Sequence, residues 1–208
     1  MSQRTRFYKM QIYKTLFICL LFAPFCKASD WNYEETHTDA RDFVAGGMVH
    51  LRLSVGDVQI KRSDSNQIRL RYTVKSRRES RVKNAYVDFE IRGRDANIEF
   101  HTSTGSNTQI DVELEVPQNT NLNVHEKVGD LTVDDIEGDK DLELGVGDIR
   151  IETGRSSYHL VQASTSIGDV NGDGYGETSG WLGKTLKYHG EGKYELRAHV
   201  SVGGINLD

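Results

Sequence analysis

The chain alternates apolar and polar residues over most of its length, most regularly between residues 122 and 151. Leu142 and Leu144 occupy every second position there, so they would share one face of a β-strand while polar residues take the other. The pair Gly147-Asp148 then interrupts the alternation, which resumes directly afterwards. Glycine and aspartate are common where the backbone turns sharply. The pattern predicts a strand, a corner and a second strand.

The same motif recurs five times. An apolar residue precedes the glycine, and another follows two positions after it. The five corner pairs are Gly56-Asp57, Gly129-Asp130, Gly147-Asp148, Gly168-Asp169 and Gly203-Gly204. Successive glycines lie 18 residues apart (129 to 147) and 21 apart (147 to 168), which is typical of single rungs of a β-solenoid. The repeat favours solenoid corners over two-residue hairpins, and the apolar residues that flank a corner, such as Val146 and Ile149, are expected to face one core.

The first half of the chain alternates too, but its strands are longer and less regularly spaced. Turn-forming clusters at 63–66, 93–95 and 104–107 separate these strands. Residues 48–117 are therefore predicted to form a hairpin-rich cap on the repeat part at 118–208, because a cap covers an edge that would otherwise pair with other chains. The predicted fold class is all-β: a β-solenoid-like repeat with Val-Gly-Asp corners in a single domain, 48–208, without a helix.

Two segments precede this domain. Residues 1–28 have the organisation of a secretory signal peptide: a basic segment, ten uncharged residues at 16–25, and small side chains at Cys26 and Ala28. The uncharged run is too short to span a bilayer. Cleavage would leave a mature chain that begins near Ser29. A polar segment at 29–47 is then expected to form a loose N-terminal arm.

Cleavage of the leader changes the charge and the cysteine count. The leader carries five of the 26 basic residues and no acid, so 21 basic and 31 acidic residues remain, a net charge of −10. This balance argues against nucleic acid as a partner. Cys19 and Cys26 leave with the leader, which excludes disulfides and thiolate metal sites from the mature chain. We expect an exported protein, periplasmic or extracellular, without a membrane span after cleavage, whether translation starts at Met1 or Met10.

Charge is unevenly distributed. Residues 61–83 hold nine basic and two acidic groups, whereas residues 124–153 hold ten acidic and three basic groups. The basic stretch would suit an acidic polymer such as lipopolysaccharide, and contacts between unlike stretches of two molecules would weaken with salt. A solvated hairpin whose charges protect a sheet edge is the favoured interpretation.

One loop resembles a calcium site. Asp169, Asn171, Asp173 and Glu177 supply oxygen ligands at the first, third, fifth and ninth positions of a calcium loop. The twelfth position, which should carry a bidentate acid, is Gly180. A glycine-rich acidic turn in register with the corners is therefore favoured, and a weak calcium site is the alternative.

Signatures of catalysis each fail on one residue. A phosphate-binding loop would need glycine where Thr178 stands, and a zinc-protease helix would need histidine at Gly129. Ser179 lies one place too late for a nucleophile elbow. The seven histidines show no ligand spacing. The sequence predicts no catalytic residue, no metal centre and no cofactor.

The run from Val112 to Val124, followed by repeated (Val/Ile)-Gly-Asp strands, resembles the bacterial putative-adhesin family, also called toastrack domains. The resemblance covers roughly residues 43–208. It implies an exported cell-envelope protein of β-strand repeats, with no known catalytic residue to carry over.

Three functions are consistent with these sequence features. A non-enzymatic envelope protein with a structural or adhesive role, binding an envelope protein, a polysaccharide or itself, is favoured. The alternatives are a β-helix polysaccharide-active enzyme and an envelope-stress sensory module. The enzyme would need an acidic and basic catalytic cluster, which the sequence does not show, and the sensory module would need a tether or signalling domain.

Overall fold

The computed structural model describes residues 31–102, 107–152 and 154–208. The elements are β1 (Tyr33–Asp42), β2 (Met48–Val55), β3 (Val58–Ser63), β4 (Gln67–Ser76), α1 (Glu79–Lys83), β5 (Tyr86–Arg92), β6 (Asp95–His101), β7 (Thr108–Pro117), β8 (Asn121–Val128), β9 (Leu131–Asp134), β10 (Lys140–Val146), β11 (Ile149–Glu152), a 3-10 turn (Arg155–Ser157), β12 (Tyr158–Ile167), β13 (Val170–Gly172), β14 (Thr178–Ser179), β15 (Thr185–His189), β16 (Tyr194–Val202) and β17 (Ile205–Leu207). The predicted signal peptide lies outside the described residues.

The strands form two sheets. Sheet A has the order β1-β4-β7-β3-β9-β11-β17-β13, and sheet B has the order β14-β15-β12-β16-β10-β8-β2-β6-β5. Each Gly corner joins a strand of sheet B to a strand of sheet A, and we call such a pair of strands a rung. Strands of neighbouring rungs are parallel, as in a solenoid. The prediction of an all-β solenoid-like repeat is confirmed.

The rungs do not stack in chain order. Along the molecule they run β2–β3, β8–β9, β10–β11, β16–β17 and β12–β13. The last rung of the sequence is therefore inserted between the two that precede it. The corners at 147 and 168 are neighbours in sequence but not in space, because the β16–β17 rung lies between them. On its other side, β12 is covered by β15, which pairs with β14. Spacing alone could not show this return of the chain.

Alternation along the strands fills the space between the sheets. In β10, Leu142 and Leu144 face inward and are buried, while Asp141 and Glu143 between them are exposed. Strands of neighbouring rungs repeat this pattern in register, so aliphatic side chains stack in rows along the molecule. Burial of these rows provides the main stabilisation of the fold.

The N-terminal half of the chain is more ordered than the sequence suggests. The prediction of a loose arm at 29–47 is wrong for its central part. Strand β1 pairs antiparallel with β4 over ten residues, and Phe43, the residue directly after β1, is buried. Polar residues dominate β1 because it is an edge strand whose outer face meets solvent. The expectation of no helix is also wrong. Periodicity does not predict helix α1, because five residues are too few to show a helical period.

Candidate functional site

The five corners stack into a continuous backbone ladder. The N–H of four of the five corner glycines donates to the carbonyl of the residue that precedes the glycine in the next rung, for example Gly129 to Val146 and Gly147 to Val202, both at 3.0 Å. The carbonyl of Asp148 accepts a further bond from the N–H of Leu131, at 2.9 Å. The corners are therefore repeating structural units that bond directly to one another.

Glycine is required at these corners for two reasons. The five first-position glycines have φ between +136° and +150°, where side chains are strained. The neighbouring rung also approaches too closely for a side chain. A Cβ at Gly147 would lie 1.7 Å from the carbonyl oxygen of Gly129, and a Cβ at Gly129 would lie 1.6 Å from that of Gly56. No rotamer relieves such contacts, because both partners are backbone.

Three of the four corner aspartates accept a hydrogen bond from the next rung. Asp57 Oδ1 accepts a hydrogen bond from the N–H of Asp130 at 3.2 Å, and Asp130 Oδ1 accepts one from Asp148 at 3.0 Å. Asp148 Oδ1 accepts one from Gly204 at 2.6 Å. These aspartates remain exposed and border grooves on the outer face of sheet A. They therefore form an acidic row along one side of the corners.

The apolar residue before each glycine is exposed, although the sequence pattern predicts that it faces the core. Val146 is half-exposed, whereas Ile149 on the other side of the corner is buried as expected. The buried row of each strand ends at the residue two positions earlier, such as Leu144, and Val146 lies beyond it, next to the corner glycine. The five residues concerned are 41% to 54% exposed and are paired in register: Val55, Val128, Val146, Val202 and Ile167.

This row of aliphatic side chains continues past the β12–β13 rung, which ends the stack. Gly168 donates its N–H to the carbonyl of Leu182 at 3.1 Å, so Leu182 occupies the place that a sixth rung would supply. Leu182 is 64% exposed and the adjacent Trp181 is 89% exposed. We call these seven residues, the five of the row with Trp181 and Leu182, the apolar ridge. Exposed apolar side chains that form a contiguous patch mark an interaction surface more often than single ones do.

Among the described residues, one acid is buried in the interior beneath the ridge. Glu126 faces inward between Leu53 and Leu144 of the neighbouring rungs and is 4% exposed. Within the described part of the chain, neither of its carboxylate oxygens has a hydrogen-bond partner. Burial, together with the nearby charges of Asp57 and Asp130, raises the pKa of Glu126 to about 8. The carboxyl is therefore mostly protonated at neutral pH.

The burial of Glu126 could be predicted from its position in the alternating pattern, although no motif indicates it. The residue has the same parity as Leu122 and Val124, which places it on the inward row of β8. Motifs for ligands or catalysis do not reveal it, because a lone inward acid has no partner at a fixed spacing. Glu126 is therefore a buried titratable group that the sequence motifs did not predict.

Lys140, at the start of β10, is buried as well. Its ammonium donates to the carbonyls of Ile136 at 2.6 Å and Gly138 at 3.2 Å, and to the hydroxyl of Tyr158 at 2.6 Å. Burial lowers the pKa of Lys140 to about 7. This side chain ties the loop before β10 to β12 two strands away, which is a structural role.

The outer face of sheet B carries a groove of about 410 Å³. The topology brings residues that are distant in sequence into one row across it. His125 Nδ1 lies 2.8 Å from a carboxylate oxygen of Glu143, and His199 Nδ1 lies 3.0 Å from the hydroxyl of Ser164. The histidines look scattered in the sequence because spacing does not reveal a row built from parallel strands. The strand N–H groups beside this row are used in the sheet ladder, so they are not free to act as oxyanion donors for a Ser-His pair.

The calcium candidates are distributed along the β12–β13 rung and the loop that follows it. Asp169 lies at the corner, and the Asn171 side chain on β13 donates to the Asn206 side chain at 3.1 Å. Asp173 and Glu177 border a shallow groove in the following loop. In the part of the chain that the structure describes, no group of three or more His, Cys, Asp or Glu side chains is arranged to hold a metal.

At least five of the nine basic side chains at 61–83 form salt bridges with acids. Most of these salt bridges cross from β4 to β7 or link nearby residues: Arg62–Asp135, Arg69–Glu115, Arg71–Glu113, Lys75–Asp111 and Lys83–Glu79. Such exposed pairs contribute little to stability. They nevertheless place acidic groups beside positive charges that an acidic polymer would otherwise contact.

Two stacked sheets joined by Gly-Asp corners define a β-repeat domain that bonds rung to rung. The chain belongs to the Toastrack family DUF4097, whose profile matches residues 49–176. The family resemblance seen in the sequence is thereby confirmed. No curated protein matches the chain. Among the described residues, no helix is long and apolar enough to cross a membrane.

A solved structure shows the same fold. A protein described as a putative cell adhesion protein from Clostridium sporogenes superposes with a TM-score of 0.54 at 15% identity, over 84% of this chain and 99% of that chain. A putative adhesin from Parabacteroides merdae aligns over 85% of this chain and 97% of that chain, at 11% identity and a TM-score of 0.31. Only the first likeness supports a shared fold.

Proposed function

We propose that this protein is an exported, non-enzymatic component of the cell envelope that acts by binding through its β surface. The observation that carries the proposal is the apolar ridge. Five rungs place an aliphatic side chain at the same exposed corner position, where it contributes little to the core. A surface with no partner would be expected to carry polar residues there.

Other features are consistent with a binding role. The Toastrack family match and the fold shared with a protein described as a cell adhesion protein support an adhesive or structural role at the cell surface. The outer faces of both sheets carry grooves that an elongated ligand could follow. The partner is one of three kinds: an envelope protein, a polysaccharide or a second copy.

Export can be tested directly. We expect the chain expressed in a bacterial host to appear in the envelope or secreted fraction with the leader removed and without a lipid adduct, because the leader lacks a small residue before Cys26. Intact-mass measurement on the separated fractions checks this. A full-length cytoplasmic product would contradict the proposal.

Binding and the absence of catalysis need a second experiment. The wild-type protein should bind whole envelope preparations or itself, and Val146→Asp should reduce that binding without a loss of fold. Val44→Asp is a matched control, because Val44 is 53% exposed but lies outside the ridge. Reproducible cleavage of an envelope glycan by the purified protein, lost in Ser164→Ala or Glu143→Gln, would replace the binding role with an enzymatic one.

A further inference from the structure

We propose that the apolar ridge is a homotypic interface on which two copies of this chain associate about a two-fold axis parallel to the stack of rungs. The inference rests on the proposed function, since it names the partner of the same surface. The residues that flank the ridge on its two sides carry it.

The two sides of the ridge differ in chemistry. On the sheet B side, the residue before each ridge residue is small or basic: Ser54, Lys127, Gly145, Ser201 and Ser166. On the sheet A side, the second residue after each ridge residue is acidic in four of five rungs: Asp57, Asp130, Asp148, Gly204 and Asp169. In four of five rungs, a hydroxyl or ammonium donor therefore lies on one side, and in four of five a carboxylate acceptor lies on the other.

This asymmetry selects the symmetry of a dimer. A two-fold axis parallel to the ridge exchanges the two sides but keeps each rung at its own height. Lys127 then faces Asp130 of the second copy, and Ser54 faces Asp57, so donors meet acceptors. An axis perpendicular to the ridge would instead place the two acidic rows opposite one another, which like-charge repulsion disfavours.

The size of the patch sets the strength of association. Strands are spaced about 4.8 Å apart, so six corner positions extend over roughly 24 Å. With its flanking rows the ridge offers on the order of several hundred Å² per copy, at or below the roughly 800 Å² of a standard interface. We therefore expect a reversible, concentration-dependent dimer. Because the centre of the interface is apolar, high salt should not dissociate the dimer. Contacts between oppositely charged stretches would instead weaken with salt.

Sedimentation velocity over a range of concentrations tests the interface. The wild type should pass from monomer to dimer as concentration rises, at low salt and at about 1 M sodium chloride. Val146→Asp should shift the midpoint at least about tenfold upward, because a charge would be buried at the centre of the ridge. Val44→Asp should leave it unchanged. Circular dichroism and melting curves establish that both variants are folded.

Cysteine cross-linking tests the direction of the axis, in a chain with Cys19→Ser and Cys26→Ser. With a parallel axis every ridge residue meets its own copy, so Val55→Cys and Ile167→Cys should each form disulfide-linked dimers under mild oxidation. With a perpendicular axis Val55→Cys and Ile167→Cys would cross-link with each other and not with themselves. Val44→Cys is the control.

The outcomes separate this inference from the function on which it rests. A wild type that stays monomeric at all concentrations, yet binds envelope preparations through Val146, overturns the homotypic interface and leaves the binding role standing. If Val146→Asp alters neither self-association nor envelope binding, both fail. Cross-linking only between Val55→Cys and Ile167→Cys would overturn the parallel axis.

Discussion

We expect the substitution Gly147→Val to lower the free energy of unfolding by about 3 kcal/mol or more. Two costs combine. The backbone at Gly147 has φ +136°, which only glycine adopts without strain. A Cβ would also lie 1.7 Å from the carbonyl oxygen of Gly129, so the ladder between two rungs would have to open. Gly147→Ala should cost nearly as much, because the clash begins at Cβ. Urea unfolding followed by circular dichroism measures the change.

Gly93→Ala is the matched control for this prediction. Gly93 also has a positive φ, +65°, but nothing lies within 4 Å of the position that its Cβ would take. Its substitution should therefore cost only about 1 kcal/mol, the strain of one left-handed residue. Equal losses for Gly93→Ala and Gly147→Ala would mean that close stacking of the corners does not limit stability.

The corners illustrate what the sequence can predict. A motif that repeats glycine with fixed apolar neighbours shows where the chain turns, because the backbone geometry of each corner depends on nearby residues only. The orientation of Val146 could not be predicted in this way. Whether it enters the core depends on Leu144 of its own rung and on the tight approach of the next rung, and both are consequences of stacking.

Long-range pairing limits what else can be predicted. Strand β1 looks like a polar arm in the sequence because the strand that satisfies its hydrogen bonds, β4, lies more than thirty residues away on average. The row that holds His125 and Glu143 is assembled from parallel strands 18 residues apart, and His199 joins it only because β16 is inserted beside β10. No local pattern encodes that insertion.

The buried acid should make stability depend on pH in an unusual direction. The pKa of Glu126 is raised from 4.5 to about 8 in the folded protein, because the carboxyl is buried and faces the charges of Asp57 and Asp130. Between these two values the folded state holds a proton that the unfolded state has released. Stability therefore falls as pH rises through this window, by up to about 1.4 kcal/mol per pH unit and on the order of 5 kcal/mol in all.

Lys140 contributes the opposite trend at higher pH. Its pKa is lowered from 10.5 to about 7 by burial, so between these values the unfolded state binds the additional proton. Stability should therefore rise with pH across this second window. Together the two buried groups predict a minimum of stability between about pH 7 and pH 8.

The substitution Glu126→Leu should remove the loss of stability between pH 4.5 and about 8 while leaving the rise at higher pH in place. Leucine occupies the equivalent inward position in both neighbouring rungs, at Leu53 and Leu144, so the side chain should fit the row. The variant should gain a few kcal/mol over the wild type at pH 8 and much less at pH 5, because the wild-type carboxyl is protonated in both states only at low pH. Glu99→Leu, at an exposed position on the same sheet, is the control and should leave the pH profile unchanged. Melting temperatures measured from pH 4 to pH 10 would show the effect, and parallel curves for the wild type and Glu126→Leu would mean that Glu126 is not buried as an isolated acid.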